Sequence, residues 1–240
     1  MIKSLARTWL ICWIRFRLKL LIYFLVRRNR SRLVEGRTKY FCIGRNKTGT
    51  TSISKAFSDL GFTLGDQLIA EYLTDKDFFS GRFDRIIDYC ETAEVFQDVP
   101  FSLFDTIKEV DRAFPGSKFI LTVRDDSKQW YDSLVRFHSK LFGRDGRVPT
   151  CKDIKREKYK GTGLKRNVVR VHGTDYSDPY NENVMRSHYE KHYLDVVEYF
   201  KERPKDLLII NLSQKGEYQR FLDFIGMTSL CEDFPWENRT

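Results

Sequence analysis

Lys47, Thr48, Gly49, Thr50, Thr51 and Ser52 put one cation, one glycine and four hydroxyl groups into six consecutive residues. An apolar run, "KYFCIG", precedes them, and a segment with helical spacing, 50–60, follows and is closed by Gly61. The first N–H groups of a helix have no intrahelical partner and lie at the positive end of its dipole, so a turn of this kind holds an oxyanion. Gly44 and Gly49 allow the tight path, with Arg45 and Asn46 inside it. The nucleotide-triphosphatase pattern G-x-x-x-x-G-K-[ST] requires lysine directly after the second glycine. Here that position is Thr50, and the lysine is Lys47. The late apolar run "LLIIN" ends in Asn211 and not in a carboxylate for magnesium. An anion site with a displaced lysine is therefore the chemistry to account for.

Three further groups are candidates. Arg124 ends the apolar run "KFILTVRD", where a charge needs a partner, either a ligand or the adjacent Asp125 or Asp126. Asp98, in "QDVP", is either a general base or the cap of a helix beginning near Pro100. His188 and His192 stand four apart on one helix face, but Tyr189 occupies the position where a zinc protease carries glutamate. No metal site is expected there. Packing and a place in an acceptor-binding pocket are the remaining readings.

Short apolar runs alternate with helical segments throughout. Strands are expected at 39–44, 85–90, 93–98, 118–125 and 206–212, and helices at 50–60, 101–114, 127–142, 182–203 and 216–226. Such alternation implies βαβ units, hence a parallel sheet covered by helices on both faces, a three-layer α/β/α architecture. Residues 144–181 lack periodicity and read as a long loop insertion. Within it, 144–170 holds ten Lys/Arg against three acids.

In order along the chain, "KTGTTS", "QDVP", "ILTVRDDSKQWYDS" and "RPKDLLIINL … FLDFIG" resemble the motifs of sulfotransferases that use 3′-phosphoadenosine 5′-phosphosulfate (PAPS). The resemblance covers roughly 39–226 and is to the small bacterial type, with a phosphate-loop fold. It implies that the loop Arg45–Ser52 binds the 5′-phosphosulfate, with Lys47 beside the leaving oxygen. It also implies that Arg124 and Ser133 hold the 3′-phosphate, although Ser133 stands nine residues after Arg124 where eight is usual. "QDVP" occupies the place of a histidine followed by leucine and proline in cytosolic members, which gives Asp98 the role of base. No metal is implied, because a sulfuryl group carries less charge than a phosphoryl group. A nucleotide kinase or triphosphatase, and a non-catalytic membrane-surface protein, are the rival readings.

Composition divides the chain. With 240 residues, 41% hydrophobic and 15% aromatic, it is long enough for one full core. Five scattered cysteines form no C-x-x-C pair, which favours a reducing, cytoplasmic setting. Residues 1–40 hold eleven Lys/Arg and one acid, and the remaining 200 hold 31 bases and 32 acids. The net charge of +9 therefore belongs to an arm, 1–36, and not to the domain, 37–240, which argues against nucleic acid as a partner. The acceptor is expected to be a small molecule, a glycan or a lipid headgroup; nothing in the sequence sets an oligomeric state.

Within the arm, 9–26 is apolar but interrupted by Arg15, Arg17 and Lys19. Each costs roughly 2.5–3.5 kcal/mol at the centre of a span, more than the flanking Leu and Phe return. Peripheral contact with the inner membrane face is expected over 9–32, with Trp9, Trp13, Phe16, Leu20 and Phe24 dipping in. Arg27, Arg28, Arg30 and Arg32 would then face headgroups. The alternatives are an arm packed on the domain and an N-terminal signal anchor.

Overall fold

The computed structural model describes residues 17–18, 21–23, 25–156 and 164–235. Four strands, β1 (Tyr40–Cys42), β2 (Val95–Gln97), β3 (Lys118–Thr122) and β4 (Leu207–Ile210), form one parallel sheet in the order β2-β1-β3-β4. Their side chains alternate between two cores, as the strand period demands. Phe41, Phe96, Phe119 and Leu121 face one side, where the Phe41 ring lies 5.6 Å from Phe96 and 5.5 Å from Phe119. Tyr40, Cys42, Val95, Ile120, Leu208 and Ile210 face the other. Burying each phenylalanine stabilises by about 1.5–3 kcal/mol, so the aromatic face contributes heavily.

Helices α1 (Thr50–Asp59) and α9 (Glu217–Ile225) cover the second face through Ile53, Phe57, Phe221 and Leu222. Helices α2 (Gln67–Lys76), α3 (Asp84–Cys90), α4 (Phe104–Ala113) and α8 (Glu182–Phe200) cover the first. The expected three-layer α/β/α arrangement is the one observed. A third cluster, including Trp130, Leu134, Ile154, Val168 and Met185, joins α5 (Ser127–Phe142), α6 (Cys151–Arg156), α7 (Leu164–His172) and α8.

Several sequence expectations give way. The run 85–90 is helical, because Ile86, Tyr89 and Cys90, three and four apart, make a buried helix face. The helix expected from Phe101 begins only at Phe104, and α2 was not anticipated at all. The segment 144–181 is not one loop. Asp153, 5% exposed, accepts from both the N–H and the hydroxyl of Thr150 and pairs with Arg144 and Arg147, opening α6. Val168, Val169 and Val171 seat α7 on the body.

The described part of the arm takes up the packed alternative in part. Residues 25–33 are helical, and the described part of the arm docks on the domain. Tyr23 packs 5.8 Å from the Tyr89 ring, Arg27 pairs with Asp88 at 3.1 Å, and Arg30 donates to the Leu64 carbonyl at 2.8 Å. Arg27 and Arg30 thus have partners within the protein. Leu18, Leu21, Ile22 and Leu25 on this arm are exposed. Trp9, Trp13, Phe16, Leu20 and Phe24 lie outside the described residues. Among the described residues no helix is long and apolar enough to cross a membrane.

Candidate active site

The loop between β1 and α1 is built by backbone strain that its sequence tolerates. Gly49 takes φ 103° as the N-cap of α1, a region glycine enters without steric cost. Gly44 passes so close to β3 that a Cβ there would fall 2.0 Å from the Thr122 hydroxyl. Lys47 itself is left-handed, φ 68°. Thr48 fastens the turn, its hydroxyl 2.5 Å from both the Arg45 carbonyl and Thr122 Oγ1. No side-chain hydrogen bond from the N-cap, Gly49, closes the start of α1, where Thr50 and Thr51 stand.

Two elements clamp this loop from the β3 side. Arg124, just past β3, donates through Nε to the Lys47 carbonyl at 2.8 Å, and its own N–H donates to the Tyr189 hydroxyl at 3.0 Å. Trp130 Nε1, on α5, donates to the Asn46 carbonyl at 2.9 Å. One turn and two turns along the same face stand Ser133 and Phe137, and the Lys47 ammonium sits 4.1 Å over the Phe137 ring. Ser133 is buried on the helix face that meets the loop. Burial, then Arg124, then Lys140 push the Lys47 pKa below the ordinary lysine value. Crowded cations of this kind favour an anion among them.

Arg124 does not pair with either neighbouring acid. Asp125 accepts from Gln129 and Asn211, and Asp126 caps α5 through Gln129 N–H. Beyond Arg124 opens a cleft of about 750 Å³ over the ends of β3 and β4, lined by Ser127, Arg186, Tyr193, Asn211 and Gln214 among others. Ser127, not Ser133, reaches that cleft.

On the β2 side stand Asp98 and the histidines. Asp98 is left-handed, φ 56°, which Asp accepts more readily than most residues. Its carboxylate accepts from Val99 N–H at 2.8 Å and its carbonyl from Ser102 N–H at 2.9 Å. It caps no helix: α4 starts six residues later with Leu103 as its N-cap. Burial raises the Asp98 pKa to about 6, against the pull of the Val99 N–H and Arg45. That is the range in which a carboxylate can exchange a proton near neutrality. Arg45 is 4% exposed, and its Nη2 donates to His188 Nδ1 at 3.3 Å. His192 is buried and donates from Nε2 to the Ile43 carbonyl at 2.9 Å. Burial keeps both imidazoles neutral, His188 near pKa 4 and His192 well below its usual value. His192 thus anchors α8 to β1, while His188 reaches the loop.

Sequence reasoning missed Phe137, Trp130 and His172. The first two carried a signal in hindsight, an aromatic pair seven apart on the helix after Arg124; His172 carried none. Among the described residues no cluster of three or more His, Cys, Asp or Glu is arranged to hold a metal.

With this geometry in place, comparison with known families shows that the model described as a sulfotransferase domain aligns with residues 39–240. The match covers most of the chain, and the chain belongs to that family. No curated protein matches it.

Proposed function

We propose that this chain transfers a sulfuryl group from PAPS to a hydroxyl or amine of an acceptor. The observation that carries the reading is the hydrogen bond from Arg124 Nε to the Lys47 carbonyl, which joins the two anion-binding motifs into one site. PAPS supplies an activated sulfuryl group on a phosphate, with a second phosphate at the 3′ position. The residues fit such a molecule: an uncapped helix N-terminus, three nearby cations and an adjacent cleft of about 750 Å³.

The amides and hydroxyls of Thr50, Thr51 and Ser52 hold the phosphosulfate. Arg124 holds the 3′-phosphate, for which a planar guanidinium offers paired donors, and Ser127, which lines the same cleft, takes the place expected of Ser133. Lys47 neutralises charge developing on the leaving oxygen, and the fixed loop dipoles need no reorganisation as that charge appears. Asp98 takes the proton of the acceptor. Incubation with sulfur-labelled PAPS and mixed glycan and lipid acceptors tests this. The wild type should label an acceptor, and Lys47→Ala should lose about 10²–10³ of the rate. Equal labelling by both proteins would remove Lys47 from the chemistry.

The arm adds a location. Its exposed Leu18, Leu21, Ile22 and Leu25 lie on a strongly basic segment, which supports contact with an anionic membrane surface. Replacing Leu21 and Leu25 together by Asp should abolish sedimentation with anionic vesicles and leave transfer to a water-soluble acceptor intact. Undiminished sedimentation would assign the exposed face another role.

A further inference from the structure

Arg45 is a buried charge whose hydrogen bonding is incomplete. Its Nε and Nη1 have no hydrogen-bond partner although the residue is 4% exposed, and Nη2 has only the neutral His188. Other arginines are completed by carboxylates: Arg203 is bidentate on Asp111, at 3.1 and 2.7 Å, and Arg82 and Arg85 share Asp77. Asp98 and Asp195 act on Arg45 only through space. A buried guanidinium with two of its three nitrogens unpartnered is costly to keep, and a purely structural arginine would be bonded as Arg203 is.

The surroundings are prepared for a negative group. His188 bonds Arg45 and His172 lies 6.4 Å from the His188 ring; these two and His192 are held neutral by burial first and then by the guanidinium. The arginine therefore stands as a single positive charge. Since Arg45 must donate to His188 Nδ1, the proton of that neutral ring sits on Nε2, a further donor. Arg45 and Lys47 also meet different partners: Arg45 bonds His188 on α8, whereas the Lys47 ammonium lies over Phe137 on α5 and its carbonyl accepts from Arg124. Of the two acids that act on it, Asp98 acts more strongly than Asp195.

We propose that Arg45 and His188 form a receptor for an oxyanion carried by the acceptor, a carboxylate, phosphate ester or sulfate ester, set beside the group that Asp98 deprotonates. The acceptor is then itself an anion. The inference rests on the sulfuryl-transfer reading and names the class of acceptor for it.

The test is titration calorimetry with inorganic sulfate on the full chain saturated with 3′,5′-adenosine bisphosphate, in wild type, Arg45→Met and Arg45→Lys. Met keeps the volume and removes the buried charge, and Lys keeps the charge without the planar fork. Sulfate should bind the wild-type complex, lose at least tenfold in affinity in Arg45→Met, and less in Arg45→Lys, with bisphosphate affinity unchanged. If Arg45→Met does not fold, the Lys variant carries the comparison. Equal sulfate affinity in all three would overturn the receptor. The source of the anion is read from the ratio of PAPS to bisphosphate affinity. An unchanged ratio in Arg45→Met supports the acceptor; a lowered ratio means Arg45 grips the donor's sulfuryl group and overturns the assignment. A wild type that binds no bisphosphate contradicts the donor reading instead. Sulfate titration of the free chain then still supports or overturns an Arg45 receptor.

Discussion

On the β3 flank of the loop, Lys47 keeps its ammonium over Phe137 with Arg124 and Lys140 near it, beside an open cleft. On the β2 flank, two residues earlier in the chain, Arg45 is buried and bonded to the neutral His188, with Asp98 and then Asp195 acting on it through space. The first flank gathers several partly solvated cations, which suits a ligand carrying more than one negative charge. The second pairs one cation with one raised carboxyl, which suits a group that must both bind and give up a proton. One strand, β1, feeds both, and the proposed division of donor from acceptor rests on Arg45 and Lys47, two residues apart, meeting different partners.

The strongest way to break this division is Asp98→Asn. Asn keeps the size of Asp and cannot take a proton. Turnover should fall about 10²–10⁴, with bisphosphate affinity unchanged, because the β3 flank is untouched. In the wild type, activity should rise with pH through about 6 as the carboxyl ionises, and that limb should vanish in the variant. The sign for stability is opposite. The folded pKa is above the unfolded one, so the stabilisation is full below about 4 and is lost as pH rises through about 6. At pH 8 the Asn variant should melt no lower than wild type. Full turnover in a stable Asn variant would move the base elsewhere.

A smaller effect is expected on the other flank. Arg124→Ala should weaken bisphosphate binding by roughly 1.5–3 kcal/mol, the worth of a charge-assisted hydrogen bond. It should leave the pH limb in place. If binding of the analogue without the 3′-phosphate falls by the same amount, Arg124 supports the loop through the Lys47 carbonyl and does not read the phosphate.

Legibility in the sequence followed the range of the interactions. The loop could be read because Gly44, Lys47, Gly49 and the hydroxyls act within nine residues, and β3 because its apolar run is unbroken. Asp98 and Arg124 stood out as charges at strand ends. Helix α3 was misread because "RIIDYC" is too short for the two periods to separate. Helices α6 and α7 escaped because their buried residues, Ile154 and Val168 to Val171, are thinly spread among bases that Asp153 partly neutralises. The isolation of Arg45 depends on α7 and α8 closing around it from more than a hundred residues away, and no local pattern encodes that.

The central claim is that the loop and Arg124 together bind a 3′-phosphorylated adenosine donor. Calorimetric titration of the wild-type chain with 3′,5′-adenosine bisphosphate and, separately, with ATP and magnesium tests it directly. The account predicts one site per chain for the bisphosphate and at least tenfold weaker binding of ATP. Equal or tighter binding of ATP, or no binding of the bisphosphate, would contradict it.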